Sequence, residues 1–383
     1  MPVVVAVDSG VDTGYIISMP LRTVNGDHGA PHKGRGATLN LEGRFESLQR
    51  DSFHDGWEGT TEDETERPRT IVTPERAKSI ITRNDSPDIP FTYSINPYRG
   101  CEHGCIYCYA RPSHAYLELS PGLDFETRLF AKINASELLR EALAKPGYRC
   151  ESITVGANTD PYQPVEREWR ITRQILEVLG ECEHPVAIIT KNALIERDLD
   201  LLAPMAKKRL AQVYVSVTTL DRDLARRMEP RASAPQRRIE TIRALARAGV
   251  PTGVMVAPIV PYLTDHGIES VLEAAAEAGA IRAGYTVMRL PWELKDLFKS
   301  WLEHHYPLKA AHVMSRVRQL RDGKENDPNF GTRQTGTGLL AELLHKRFEK
   351  ACRRLGLNVA RRGPEIDESR FKPPAVTGQL TLF

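Results

Sequence analysis

The sequence lacks any apolar run near the ~18 residues that a membrane helix needs. Its start, "MPVVVAV", is apolar for too few residues and has no basic flank, so a secretory leader is not expected. It is also poor in cysteine, with six in 383 residues and three of them bunched. That excludes a disulfide framework and points to metal or catalytic thiols in a reducing cytoplasm. Strong charge of one sign is absent as well, since the net charge is only +2. The distribution is uneven, however: Asp51–Glu66 carries seven acids and no Lys or Arg. Outside that stretch 52 basic residues face 43 acidic ones, a mild bias toward polyanions.

What is present falls into zones. Residues 1 to about 75 are Gly-rich and polar, then acidic, without sustained periodicity, and read as largely disordered or loosely docked arms. From about 76 short β-branched runs alternate with amphipathic segments. The expected strands are a first one near Tyr93–Asn96, then Ser152–Val155, Val186–Thr190, Val213–Thr218, Gly253–Ala257 and Ala283–Leu290. Helices are expected at Gln236–Gly249 and at Asp265–Gly279, the latter N-capped by Asp265. Continuous apolar strands separated by helices imply a parallel sheet, here of six βα units over residues 76–290. A helical extension follows over 291–358, with helices at Trp292–His305, Ala310–Leu320 and Gly338–Leu355. Residues 359–383 read as a flexible Pro-containing tail.

The chemistry concentrates in Arg99–Ala110, "RGCEHGCIYCYA", where Cys101, Cys105 and Cys108 follow the pattern C-x3-C-x2-C. No fourth cysteine lies within 40 residues of Cys108. Structural zinc and an ordinary [4Fe–4S] cluster both want four protein ligands. One reading is a zinc loop completed by a distant ligand such as His103 or His114. The other is a cube with one iron left open, which S-adenosylmethionine (SAM) can chelate through its amino and carboxylate groups.

C-x3-C-x2-C followed by an aromatic, after a first strand and before some 190 residues of βα alternation, resembles the radical SAM superfamily. The stretches "SINPYRGCEHGCIYCYAR", "TDPYQPVE", "TK", "SVTT", "EPR" and "RLP" are similar to its spore photoproduct lyase-like branch, also called DNA repair photolyase-like. The resemblance implies an α/β fold, a partial (β/α)6 barrel, with a [4Fe–4S] cluster and SAM as cofactors. It implies cluster ligation by Cys101, Cys105 and Cys108, and SAM contacts from Tyr107, Tyr109, Thr159, Asp160, Lys191, Ser216 and Arg231. It also implies a 5′-deoxyadenosyl radical, a damaged or modified nucleic-acid base as substrate, and a flavodoxin or ferredoxin as electron donor. A small-molecule or protein substrate, or a non-enzymatic iron–sulfur sensor, are the alternatives. One departure stands out: Asn158 occupies the position where spore photoproduct lyases carry a hydrogen-returning thiol. Cys150, Cys182 and Cys352 match no second-cluster spacing and read as small buried hydrophobes.

The final residues, Gln379, Leu380, Leu382 and Phe383, resemble the bacterial sliding-clamp binding peptide. The Gln amide would seek backbone partners while the apolar side chains enter a cleft. Two Arg-rich segments, Arg226–Arg238 and His345–Arg354, suit phosphates if they flank the barrel mouth.

Overall fold

The computed structural model describes residues 32–45, 68–359 and 366–374. In chain order the elements are β1 (Ile71–Glu75), β2 (Ile81–Arg83), β3 (Tyr93–Ile95), β4 (Tyr98–Arg99), α1 (Asp124–Thr127), β5 (Arg128–Lys132) and α2 (Ala135–Leu143). There follow β6 (Ile153–Val155), α3 (Glu166–Trp169), α4 (Ile171–Glu181), β7 (Val186–Thr190), α5 (Leu199–Lys207), β8 (Ala211–Ser216), α6 (Arg222–Met228) and α7 (Pro235–Arg247). The chain continues with β9 (Thr252–Ile259), α8 (Ile268–Glu277), β10 (Arg282–Val287), α9 (Leu294–His305), α10 (Pro307–Gln319) and α11 (Gly338–Leu355).

The β-branched runs become strands because their faces are covered: β6 and most of β7 are buried continuously, while β8 buries Ala211, Val213 and Val215 and leaves Gln212 and Tyr214 partly exposed. They form one seven-stranded sheet in the order β10-β9-β8-β7-β6-β3-β2. The six strands from β3 to β10 in that sheet are mutually parallel, and β2 runs antiparallel beside β3. This is the expected six-unit partial barrel. Helices cover it with apolar stripes, such as Ile239, Ile242 and Leu245 of α7 and Ile268, Val271, Leu272 and Ala275 of α8. Register pairs Val155 with Ile188, Thr190 with Val215 and Ser216 with Met255, so the carboxyl ends form one rim. Ligands of parallel barrels collect at that rim.

The sheet stays open, and its β10 edge is sealed by loops. The Asn358 side chain bonds both backbone groups of Ala283, and the Val287 N–H donates to the Gln334 carbonyl. Helices α9 and α10 form a second core with the cysteine loop, in which Leu294, Leu297, Phe298 and Trp301 join Leu41, Cys105, Ile106 and Tyr107.

Two local expectations are corrected, and part of the N-terminal arm takes the docked alternative. Asp265 does not cap the helix directly; it opens a 3-10 turn, and α8 starts after Gly267. Part of the expected N-terminal arm is docked, because β1 pairs in parallel with β5 in a small sheet of order β1-β5-β4. Part of the expected flexible tail is docked too. Phe371 packs against Tyr148 and His184, the Lys372 N–H donates to the Cys182 carbonyl, and Arg370 and Lys372 both pair with Glu183. The tail therefore grips the amino-terminal side of β7, the end of the barrel away from the cysteine loop.

His184 lies fully buried under this tail, its Nδ1 next to the Pro185 carbonyl and its Nε2 2.8 Å from the Tyr148 hydroxyl. Burial lowers its pKa from the usual 6.5 to about 4. The folded state thus binds fewer protons than the unfolded chain between those values. Its stabilising contribution is complete above pH 6.5 and is lost as pH falls toward 4. Replacing His184→Phe should flatten the fall in stability over that window, as measured by urea unfolding at pH 7, 6 and 5.

Candidate active site

The cysteine loop leaves β4 and is shaped from inside by one buried cation. Arg111 is fully buried and donates from Nε to the Cys105 carbonyl (2.8 Å) and from its terminal nitrogens to the carbonyls of Gly104 (3.1 Å), Gly122 (2.9 Å) and Pro121 (3.2 Å). Its charge is met by the equally buried Glu126. The two oxygens of Glu126 also accept the N–H groups of Gly36 (3.0 Å) and Ala37 (2.8 Å). The arm is thereby pressed against the loop. A Cβ at Gly36 would lie 1.8 Å from the Gly104 carbonyl oxygen, so only glycine fits there. Gly104 itself sits at φ +65°, which favours glycine, and brings the loop round between Cys101 and Cys105.

A second buried pair fixes the aromatic of the loop. The Tyr107 hydroxyl donates to Glu229 and contacts the Thr218 hydroxyl at 3.2 Å. Glu229 also pairs with buried Arg238 and accepts from the Thr218 hydroxyl at 2.8 Å. Burial alone would raise the Glu229 pKa, but Arg238 and Lys191 outweigh it and hold the carboxylate near 2. Lys191, just past β7, has its ammonium 5.9 Å from the Tyr107 ring centroid. Burial disfavours its charge, yet Cys105 and Glu229 raise its pKa above the usual value. A retained cation therefore faces the cysteine loop.

The third knot is Asp160, just past β6. It accepts the Thr190 hydroxyl (2.7 Å), the Lys191 N–H (2.7 Å) and the Tyr162 N–H (2.9 Å), and lies 3.4 Å from His103. Burial pushes its pKa up, but His103 and these donors prevail and hold it near 2. The Thr159 hydroxyl is spent on the Tyr98 carbonyl (2.8 Å). Ser216 is buried, and its carbonyl accepts from Arg238. Arg231 is half-exposed and pairs with Glu102 at 2.7 Å. The half-exposed Tyr109 donates to the Ala157 carbonyl.

The rim thus brings Tyr107, Tyr109, Thr159, Asp160, Lys191 and Ser216 around one loop, with Arg231 at its edge. Thr159 and Asp160 are locked by internal hydrogen bonds and act on their neighbours. Sequence reasoning missed Arg111, Glu126, Glu229 and Arg238. Glu229 lay in plain view inside "EPR", while Arg238 was hidden in a run that reads as a solvated basic face. Arg347 and Arg354 pair with Glu269 and Glu273 on α8. The tail residues Gln379, Leu380, Leu382 and Phe383 lie outside the described residues.

The donor set fits a three-thiolate cluster better than four-coordinate zinc. His103 is committed to Asp160 and Asn192, and His114 to the Arg128 carbonyl, so neither imidazole completes a zinc site. The three thiols share one loop and feel one another's charge. Among the described residues no three His, Cys, Asp or Glu side chains already surround a common metal position. Burial drives the Cys101 thiol well up and Cys105 up to about 12, so ligation of a metal must expel protons from them. Cys182 and Cys352 are buried and distant in sequence from the loop, and Cys150 is half-buried.

Residues 95–275 match the family model of the Radical SAM superfamily. The chain belongs to the radical SAM superfamily. The chain is 38% identical over 245 residues to an uncharacterized protein of Mycobacterium tuberculosis, covering 63% of this radical SAM protein and 71% of that one. It is 27% identical over 202 residues to the Radical SAM Nalpha-GlyT isomerase of Pseudomonas phage M6, covering 50% and 39% of the two chains. Among solved structures it shares the fold of spore photoproduct lyase complexed with dinucleoside spore photoproduct, with a TM-score of 0.53 and 15% identity. That match covers 75% of this chain and 80% of the other. The superfamily's cofactors are a [4Fe–4S] cluster and SAM, and the chain is a radical SAM enzyme. No helix among the described residues is long and apolar enough to cross a membrane.

Two substitutions test the loop's architecture. Arg111→Met leaves Glu126 buried without its partner and should cost about 3–5 kcal/mol in urea unfolding, with loss of iron after anaerobic reconstitution. Gly36→Ala should also lower the iron bound per chain, although it lies far from the cysteines in sequence; unchanged iron content would contradict the close packing.

Proposed function

We propose that this radical SAM enzyme acts on a nucleic acid, abstracting a hydrogen atom from a damaged or modified base. The observation that carries the reading is the fold shared over three quarters of the chain with a lyase that holds a dinucleoside lesion. The phage relative named as a Nalpha-GlyT isomerase is consistent with a radical SAM rearrangement in this lineage.

In this reading Cys101, Cys105 and Cys108 hold the cluster. Bound together, the cluster and SAM supply a 5′-deoxyadenosyl radical at the rim. Lys191 offers the cation for the SAM carboxylate, Tyr107 and Tyr109 the walls beside the adenine, and Ser216 and Arg231 the ribose side. Asp160 and Thr159 fix the backbone that presents Lys191 and residue 158. Because Asn158 replaces the hydrogen-returning thiol, the product need not be that of spore photoproduct repair. Electrons come from a flavodoxin or ferredoxin. The tail grips the far end of the barrel through Phe371, and we assign Gln379, Leu380, Leu382 and Phe383 to docking on a bacterial sliding clamp.

The reconstituted enzyme, reduced without oxygen, should form 5′-deoxyadenosine faster with the right nucleic acid than without it. Rates no higher with lesion-bearing DNA or RNA than with neither would refute the substrate class. Cys→Ala at any of the three positions should abolish the reaction and the cluster absorbance. Deleting Gln379–Phe383 should remove binding to a purified clamp and leave the cluster intact.

A further inference from the structure

Three large aromatic side chains stand exposed beside the cluster-bearing loop. Tyr116 is 66% exposed, Trp292 62% and Phe45 49%. Each would gain from burial, yet each faces outward. They are ordered around a single cation. The Arg44 guanidinium lies 4.1 Å from the Trp292 ring centroid, 5.4 Å from that of Phe45 and 5.9 Å from that of Tyr116. The Phe45 and Tyr116 rings stack with centroids 5.0 Å apart and planes at 27°. Arg44 is held by the buried carboxylate of Glu293 at 2.7 Å, so the cation is fixed before any partner arrives.

The position of this group matters as much as its composition. Tyr116 stands on the 3-10 turn Arg111–Leu117, which continues directly from the cysteine loop. Trp292 stands in the connection that leaves the carboxyl end of β10, at φ +53°, a left-handed conformation that a bulky residue seldom adopts. Strain of that kind persists only where the surroundings enforce it. The same connection carries Arg289, whose Nε is buried without a hydrogen-bond partner among the described residues and whose guanidinium lies 5.8 Å from the Tyr109 ring centroid. Two guanidiniums thus accompany rings here, Arg44 among Phe45, Tyr116 and Trp292, and Arg289, three residues before Trp292, over Tyr109.

We propose that Phe45, Tyr116 and Trp292, ordered by Arg44, form a stacking platform for unpaired bases, and that Arg289 takes an adjoining backbone phosphate. The proposal rests on the nucleic-acid reading above and specifies the substrate further: a single-stranded or locally opened segment, with the neighbours of the target base laid on the rings. Every base has a π-face, so such a platform binds without regard to sequence. A guanidinium among rings adds cation–π attraction and suits the phosphate between stacked bases.

The test uses the full chain with its cluster reconstituted, and anisotropy of a labelled 12-nucleotide single-stranded DNA. Tyr116→Ala combined with Trp292→Asn should weaken binding roughly tenfold to a hundredfold, with the slope of log affinity against log salt unchanged. Tyr116→Phe keeps the ring and should bind as the parent does. Arg289→Gln should instead reduce the salt slope by about one. An abasic strand of equal length should bind parent and double variant alike. If the double variant loses its circular dichroism signal, Tyr116→Ala alone serves, since that side chain is exposed. Parent-like affinity in a folded variant overturns the platform but leaves nucleic-acid-dependent formation of 5′-deoxyadenosine standing. Absence of any such dependence in the parent overturns the broader reading, and the platform with it.

Discussion

The cysteine loop is held open by the Arg111–Glu126 pair, and most of the site's order depends on it. A loop that wraps a cluster must turn its carbonyls away from the metal. Arg111 does this by collecting those of Gly104 and Cys105 on the protein side. A guanidinium suits the task because its planar donors reach several carbonyls at once. Burying it requires an equally buried anion, since an unpaired charge there would be prohibitive. Glu126 meets that need and uses its remaining acceptor capacity on the backbone at residues 36 and 37. The same ion pair thus shapes the loop and recruits the N-terminal arm as its outer wall.

The rim repeats this arrangement on its other side. Glu229 is bound by Arg238, Tyr107 and Thr218, so the aromatic of the cysteine loop is tied to β8 and α7. Asp160 ties β6 to β7 and to His103 of the loop. Each carboxylate is kept charged by donors placed around it, against the pull of burial. What results is a scaffold whose polar groups are mostly satisfied internally, with Lys191 retained as a cation toward the thiols.

Much of the fold was legible in the sequence because its signals are local. Val186–Thr190 and Gly338–Leu355 coincide with their elements, since a continuous β-branched run and a long apolar stripe each identify themselves. The cysteine spacing was equally plain. The docking of residues 32–45 and 71–75 was not legible, because their partners, Glu126 and β5, lie far along the chain and no local period announces them. The docked tail escaped for the same reason, as Phe371 finds Tyr148 and His184 only in three dimensions. Asp160, Lys191 and the tyrosines could be named from resemblance. The charge pairs that hold them could not, because Arg238 and Arg111 look like surface arginines until the fold buries them.

The unclosed sheet has a further consequence. A parallel barrel that stops at six strands exposes a row of unmatched amides on its last strand, the kind of edge through which chains pair with copies of themselves. Here Asn358 imitates a neighbouring strand at one end of β10, and the Gln334 carbonyl does so at the other. The missing staves are replaced by two borrowed amide contacts and the helix between them. The last strand is thus capped from within its own chain, and a second barrel finds fewer bare amides there on which to pair.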